Sequence, residues 1–291
     1  ALYRPEYYRK KTFEIHSFPG YYSISSRREF LLLVDQLSIN YAVDFIDISW
    51  DSFFIRNKLW AKGVFITKVQ NGLLLTLPAP AAVSKVRDYI FSPKKWKNFF
   101  FTAYKALFPR SFFSSDSILI GGLAGKNLNN ARYSKELILA HSFDYDIYLK
   151  LKDETPVSTK PFAVFIDQYM VNHPNYVWLC IKPYVTEEAY YPSLEAFFAD
   201  FESKTGMEIV VAAHPRARYD LYPDIFGGRK LYHGNTAELI RDSSIVLQHV
   251  STAVSFAVLW NKPIMFLSTN EMINSSMVNS LNEYYTGSTS I

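Results

Sequence analysis

The chain has 291 residues, of which 49% are hydrophobic and 20% charged, so it is not intrinsically disordered and can form one large or two ordinary domains. The net charge of +4 is weaker than the basic footprint of most nucleic-acid-binding proteins, and we expect no nucleic-acid partner. The single cysteine, Cys180, excludes an intramolecular disulfide and fits a reducing compartment.

The amino-terminal half of the sequence contains short apolar runs that predict strands, separated by irregular segments. The predicted strands are 12–16, 43–48, 72–77, 117–120 and 136–140, the last of them buried, and 26–39 is a predicted helix. The polar stretch 152–160, KDETPVSTK, is the best linker. We therefore predict an amino-terminal domain over residues 1–151 and a carboxy-terminal domain over residues 161–291.

In the carboxy-terminal half, predicted strands alternate with predicted helices. The strands are 162–166, 209–213, 244–247 and 263–267; the helices are 192–205, 236–241 and 253–260; 176–182 is either a strand or a short helix. Ser193 is a plausible amino-terminal cap of helix 192–205, and Gly206 is its stop. This alternation predicts an α/β fold with a parallel, doubly wound sheet.

Aromatic and basic residues are interleaved in the segment Phe91–Phe113. A helix with this composition could lie in a membrane interface, whereas a core helix with a solvated basic face is the simpler interpretation and the one we prefer. No apolar run reaches the roughly 18 residues of a membrane span, and the first residues lack the apolar core of a secretory signal. We expect a cytoplasmic protein, with peripheral contact at the inner face of the membrane as the alternative.

The first polar motif follows strand 209–213 and consists of His214, Pro215 and Arg216. A histidine and an arginine at a strand end can both donate hydrogen bonds to a phosphate, and the proline fixes the turn between them. Open α/β sheets bind ligands at the carboxyl ends of their strands. The simpler interpretation is an ordinary exit from the strand into a loop.

A second polar motif, Gln248 to Thr252, follows strand 244–247. Ser251 and Thr252 stand at the start of the next predicted helix, where hydroxyls and free amides can bind an anion. Ser251 could equally be a helix cap that needs no ligand. His249 belongs to the same motif, although we favour a buried, hydrogen-bonded histidine there. Together the two strand ends favour a phosphate site.

Carboxylates follow two other predicted strands. Asp167 comes directly after strand 162–166 and could act as a general base or as a nucleophile toward an anomeric carbon, or simply cap the loop. His141, Asp144 and Asp146 follow strand 136–140, and a cleft between two domains would bring them opposite Asp167. No third carboxylate lies at a suggestive spacing, so we predict neither a metal site nor a cofactor.

The order strand–HPR, strand–QHVSTA–helix–NKPIMFL resembles the carboxy-terminal domain of GT-B glycosyltransferases that use CMP-activated sugars, such as bacterial sialyltransferases and Kdo transferases. The resemblance covers about residues 117–267 and implies two Rossmann-like domains with parallel sheets, facing across a cleft. It also implies that His214, Pro215, Ser251 and Thr252 hold the phosphate and nucleotide of a CMP-sugar donor. The acceptor would be a glycan or glycolipid of the bacterial surface.

The sequence lacks the Asp/Glu-Asp/Glu-Gly motif that supplies the base in inverting sialyltransferases. This departure favours the retaining, Kdo-transferase-like group, with Asp167 as the nucleophile, Asp146 as the second choice and His141 beside it. Two alternatives stay open: a GT-B transferase that uses a UDP- or GDP-sugar, with Glu271 as the one nearby acid for the ribose, and a non-catalytic nucleotide- or glycan-binding module of a polysaccharide assembly complex.

Overall fold

The computed structural model describes two compact units, each built on a parallel sheet. The described residues are 22–46, 50–70, 100, 103–109, 114–121, 129–156, 160–178, 182–222 and 224–275. The first unit takes in the described residues up to Ser142, and the second those from Phe143 onward. The predicted α/β class, with two Rossmann-like units on parallel sheets, is confirmed.

The sheet of the first unit has four parallel strands in the order β1-β2-β3-β4. Its elements are α1 (Arg27–Gln36), β1 (Tyr41–Asp44), α2 (Trp50–Ala61), β2 (Phe65–Gln70), β3 (Ser117–Gly121), α3 (Asn129–Tyr133) and β4 (Glu136–Ala140). Helix α1 begins where Ser26 Oγ accepts the amide of Glu29, which confirms the helix predicted in this region. The core lies between α1, α2 and β2.

Strand β4 was correctly predicted as a strand but wrongly predicted to be buried. It pairs only with β3 and forms an edge of the described sheet, and Leu137, Ile138 and Leu139 are exposed by 38–48%. An apolar run favours a strand, but burial depends on which elements cover the sheet faces, and this information is not local.

The sheet of the second unit has five parallel strands in the order β7-β6-β5-β8-β9. The strands are β5 (Phe162–Ile166), β6 (Glu208–Ala213), β7 (Leu231–His233), β8 (Ile245–Gln248) and β9 (Ile264–Phe266). The helices are α4 (Phe143–Leu151), α5 (Asn175–Trp178), α6 (Glu187–Thr205), α7 (Thr236–Asp242), α8 (Val254–Leu259) and α9 (Asn270–Asn274). The strand order reverses at central β5, which is the arrangement that places ligands at the carboxyl ends of the middle strands.

Both faces of the second sheet are covered, which explains why all five residues of β5 are buried and apolar. Ala163 and Phe165 face a core shared with α6, whereas Phe162, Val164 and Ile166 face a core shared with α7 and α8. Helix α4 packs on this second core through Leu151, and the ring centres of Tyr148 and Trp260 are 5.3 Å apart. The domain boundary predicted from the sequence, between residues 151 and 161, lies after α4, whereas α4 itself belongs to the second unit.

The long helix α6 begins earlier than predicted, at Glu187, and contains Pro192 instead of starting there. Ser193 is therefore not its cap: Ser193 Oγ donates to the carbonyl of Ala189 inside the helix. The prediction that Gly206 ends the helix is confirmed, because this glycine has a φ of 68°, in the left-handed region.

Several sequence predictions fall wholly or partly outside the described residues. Strands 12–16 and 72–77 lie outside them, and of the aromatic segment 91–113 only residues 100 and 103–109 are described. Residues 103–107 are helical, and Leu107 and Phe108 are exposed. In the described part of the chain, no helix is both long and apolar enough to span a membrane.

Candidate functional site at the carboxyl edge of the second sheet

The predicted donor-binding motifs lie at one edge of the second sheet. Asp167 follows β5, His214 follows β6, and the segment from His249 to Thr252 follows β8. Because β5 pairs in parallel with both β6 and β8, these three strand ends are neighbours at the carboxyl edge. The structure thus brings Asp167 and the His214 loop into direct contact.

Asp167 holds the ends of β5 and β6 together. Its Oδ1 accepts the amide of Tyr169 at 2.9 Å, and its Oδ2 accepts the amide of His214 at 3.1 Å and the hydroxyl of Tyr219 at 2.9 Å. The side chain is buried, and burial raises the pKa of this carboxyl although the three hydrogen bonds oppose the shift. Both oxygens are therefore engaged in supporting the loops around them.

Tyr169 adopts a backbone conformation that is costly for a residue with a side chain. Its φ is 52°, in the left-handed region, and its amide is held by Asp167. Such strain costs about 1–3 kcal/mol and concentrates at functional sites. The turn places the Tyr169 ring nearly parallel to the imidazole of His214, with 6.4 Å between the ring centres and 17° between the planes.

The His214 ring is oriented by its own loop. Its Nδ1 accepts the amide of Arg216 at 3.2 Å, and the Ala217 amide donates to the His214 carbonyl at 2.9 Å, which closes a turn with Pro215 at its second position. Burial, together with the neighbouring His173 and Arg216, lowers the pKa of His214 to about 4. The ring is therefore neutral at pH 7, and since its Nδ1 is an acceptor, its Nε2 carries the proton.

His173 was missed by the sequence analysis. Its ring lies 5.0 Å from that of His214, centre to centre, at the end of the loop that leaves β5. The available signal was the repetition of a dipeptide, because His173-Pro174 and His214-Pro215 are the same pair of residues after neighbouring strands. A second histidine at this edge strengthens the case for an anion site.

The end of β8 is joined to the end of β5 by Gln168. Its Oε1 accepts the amides of His249 and Val250, each at 3.2 Å. The His249 ring is completely buried: Nε2 contacts the hydroxyl of Tyr190 at 2.9 Å and Nδ1 the carbonyl of Leu267 at 2.7 Å. Burial lowers the pKa of His249 to about 4. This geometry agrees with the interpretation of His249 as a core histidine. It does not agree with direct contact between His249 and a sugar-nucleotide donor.

Ser251 and Thr252 lie before α8, but the amides after them are already used. Ser251 Oγ accepts the amide of Ala253 at 3.2 Å, the Ser251 carbonyl accepts the amide of Val254, and the Thr252 carbonyl accepts that of Ser255. The expectation of free amides at the start of this helix is wrong at these three positions, because the chain makes two tight turns there. The hydroxyls of Ser251 and Thr252 stay as predicted donor-binding groups.

The carboxylates after β4 lie in a helix and not in an extended segment. Asp144 and Asp146 lie in the first turn of α4, where acidic residues are favoured by the helix dipole. Asp144 accepts a hydrogen bond from Ser255 of α8, whereas Asp146 is exposed. His141 is exposed and belongs to the first unit.

Two further observations concern the donor and metals. Glu271 accepts the amide and the hydroxyl of Thr186 at 2.9 and 2.8 Å, so its carboxylate anchors the start of α6. Among the residues that the structure describes, no three His, Cys, Asp or Glu side chains are grouped so that they could hold a metal ion.

The sequence matches no protein-family model and no curated protein. Among solved structures, the chain is similar to a protein of Listeria monocytogenes assigned as a UDP-N-acetylglucosamine 2-epimerase, with a TM-score of 0.47 and 12% identity over 87% of this chain and 66% of that one. The chain thus spans slightly less than two thirds of that protein. It is also similar to an E. coli heptosyltransferase with ADP-2-deoxy-2-fluoro heptose, with a TM-score of 0.30 and 14% identity over 79% of this chain and 90% of that one.

Proposed function

We propose that this protein is a glycosyltransferase that uses a nucleotide-activated sugar, and that the carboxyl edge of the second sheet binds the phosphate of the donor. The observation that carries the proposal is the His214 turn: a neutral imidazole, oriented by Arg216 and flanked by the left-handed Tyr169, at the end of a strand beside the central one. Open α/β sheets bind ligands at this place.

The groups at this edge can stabilise the charge that develops on a departing phosphate. When the glycosidic bond to the phosphate breaks, the bonding electrons leave with the phosphate, and negative charge grows on its oxygen. A protonated Nε2 on His214 and the guanidinium of Arg216 can stabilise this charge. We propose a CMP-activated 2-keto acid sugar, of the Kdo, sialic or pseudaminic type, because the order of the His214 and Ser251 motifs resembles that of transferases that use CMP-activated sugars.

In this proposal Asp167 is a positioning residue. A nucleophilic carboxylate needs an oxygen that can reach the anomeric carbon, whereas both oxygens of Asp167 accept hydrogen bonds inside the protein. The role of nucleophile or base then passes to Asp146, which is exposed at the start of α4. The acceptor is a glycan or glycolipid whose hydroxyl replaces the phosphate at the sugar.

The test is the release of CMP from a panel of CMP-2-keto acid sugars, with and without acceptor extracts. His214→Ala should lower the rate roughly 100-fold or more, which is the usual effect of losing one donor to a developing anion. Lys230→Ala is the matched control, because Lys230 pairs with Glu208 at the opposite edge of the same sheet. Its rate should stay within about twofold of the wild-type rate.

Three outcomes would contradict the proposal. Wild-type turnover in a folded His214→Ala variant would remove His214 from the reaction. Stabilisation by CMP without release of CMP from any sugar would indicate a non-catalytic binding module, and turnover of UDP- or GDP-sugars alone would change the donor class. Intact-protein mass spectrometry tests the carboxylates, since a positioning Asp167 predicts no sugar adduct on that residue.

A further inference from the structure

Two His-Pro dipeptides face each other at the carboxyl edge of the second sheet. His173-Pro174 lies in the loop after β5, and His214-Pro215 lies directly after β6. The two imidazole centres are 5.0 Å apart, and the ring planes are inclined by 69°. Both rings are partly exposed, so a ligand can reach them from solvent.

The two rings are oriented by the same local hydrogen bond. The amide of Asn175 donates to Nδ1 of His173 at 3.1 Å, and the amide of Arg216 donates to Nδ1 of His214 at 3.2 Å. In both cases the donor is the residue that follows the proline. Because each Nδ1 must offer a lone pair, each neutral ring carries its proton on Nε2. Both histidines are thereby fixed as Nε2–H donors.

The surroundings supply donors and cations, and two carboxylates of this region, Asp167 and Asp220, are already engaged. Asp167 accepts three hydrogen bonds, and Asp220 forms an ion pair with Arg218 at 2.6 Å. Tyr169 packs beside the His214 ring and Tyr176 beside the His173 ring, and Arg216 acts on both histidines. One shell further out, Tyr219 packs against Tyr169, and His233 interacts with Asp167. Burial and Arg216 lower the pKa of His173, so both imidazoles are neutral at pH 7 and do not repel each other.

We infer that His173 and His214 form a two-histidine clamp for a phosphate oxyanion, with one phosphate oxygen accepting from each Nε2–H. The inference rests on the proposed function, because the phosphate it assigns is that of the donor nucleotide, and it adds His173 as a second binding residue. A free phosphate and a nucleotide phosphate share this chemistry. The ring of Tyr169 lies beside His214, and the ring of Tyr176 lies beside His173.

The test measures the affinities of CMP, inorganic phosphate and cytidine by calorimetry for the wild type, for two variants of His173 and for His214→Ala. His173→Phe keeps the ring and removes the donor, and it should weaken CMP binding about 10- to 100-fold. His173→Gln returns an N–H donor at the end of the side chain and should stay within about fivefold of the wild type. Cytidine, which has no phosphate, should bind both variants and the wild type equally well.

Different results contradict the clamp and the proposed function. Equal CMP affinity in folded His173→Phe and wild type, with loss of affinity in His214→Ala, overturns the clamp and leaves the proposed function intact. An equal loss of CMP and cytidine affinity in His173→Phe assigns His173 to packing and also overturns the clamp. Failure of the wild type to bind any nucleotide contradicts the proposed function. In that case the affinity for inorganic phosphate, compared between the wild type and His173→Phe, decides whether the clamp exists.

Histidine NMR on the wild type tests the clamp without any variant. Long-range proton–nitrogen spectra should show the Nε2–H tautomer for both histidines at pH 7, and saturating CMP or inorganic phosphate should raise the pKa of both rings because a bound anion favours the imidazolium. An Nδ1–H tautomer, or a pKa unchanged by phosphate for His173, overturns the clamp even if the variants do not fold.

Discussion

Replacing Asp167 with asparagine tests the hydrogen-bond network that joins the ends of β5 and β6. An asparagine has one acceptor oxygen, whereas the carboxylate uses both: one for Tyr169 and one for His214 and Tyr219. If the asparagine oxygen faces His214, its NH2 group faces the amide of Tyr169, and a buried donor is left without an acceptor. Such a loss costs about 1–3 kcal/mol.

The expected destabilisation of Asp167→Asn is about 2 kcal/mol, near the middle of this range, because the neutral amide avoids the cost of burying a charge. For a unit of this size, that corresponds to a fall in Tm of roughly 4–8 °C. Near-UV circular dichroism on heating measures it. Asp200→Asn is the control, since Asp200 pairs with Lys204 on an exposed helix face, and such a pair contributes less than about 0.5 kcal/mol.

The network also makes a functional prediction, because the same hydrogen bond holds Tyr169 beside His214. Asp167→Asn should therefore weaken CMP binding as well as lower the Tm. A Tm within about 1 °C of the wild type would show that the carboxylate does not hold the two strand ends together. A sugar adduct on Asp167 in the wild-type enzyme would assign it as the nucleophile and refute the positioning role.

The remaining predictions concern His249, His214 and the Tyr190 hydroxyl that contacts His249. In the folded protein, His249 and His214 each have a pKa of about 4. Because an ordinary histidine has a pKa of about 6.5, the unfolded chain binds more protons than the folded protein between about pH 6.5 and pH 4. The free energy of unfolding should therefore decrease as the pH falls through this window. A Tm that is constant across it would contradict the burial of these rings. Tyr190→Phe removes the hydroxyl that contacts His249 and should destabilise the protein by about 1–2 kcal/mol in thermal unfolding at pH 7; an unchanged Tm would show that this hydrogen bond contributes nothing.

The sequence was informative where structure follows from local pattern. The apolar run of β5 predicted a strand, and Gly206 predicted the end of α6 because its left-handed backbone suits glycine. The polar groups after β5, β6 and β8 were correctly placed at strand ends, since alternating strands and helices predict parallel pairing. These features depend on neighbours along the chain.

The parts that the sequence did not reveal depend on contacts between distant segments. Asp167 was predicted as a reactive carboxylate, but its partners His214 and Tyr219 come from a loop 47 and 52 residues further along the chain. The position of His173 beside His214 likewise depends on how two loops fold against each other. The end of β8 is likewise held from a distance, because Gln168 accepts the amides of His249 and Val250, which lie 81 and 82 residues further along the chain.

The most direct measurement is a crystal structure of the protein with CMP. We expect the CMP phosphate to lie within hydrogen-bonding distance of Nε2 of His214, at the carboxyl edge of the second sheet, with Tyr169 beside it. A phosphate bound elsewhere, or no bound nucleotide at a saturating concentration of CMP, would contradict the assignment of this edge as the donor site.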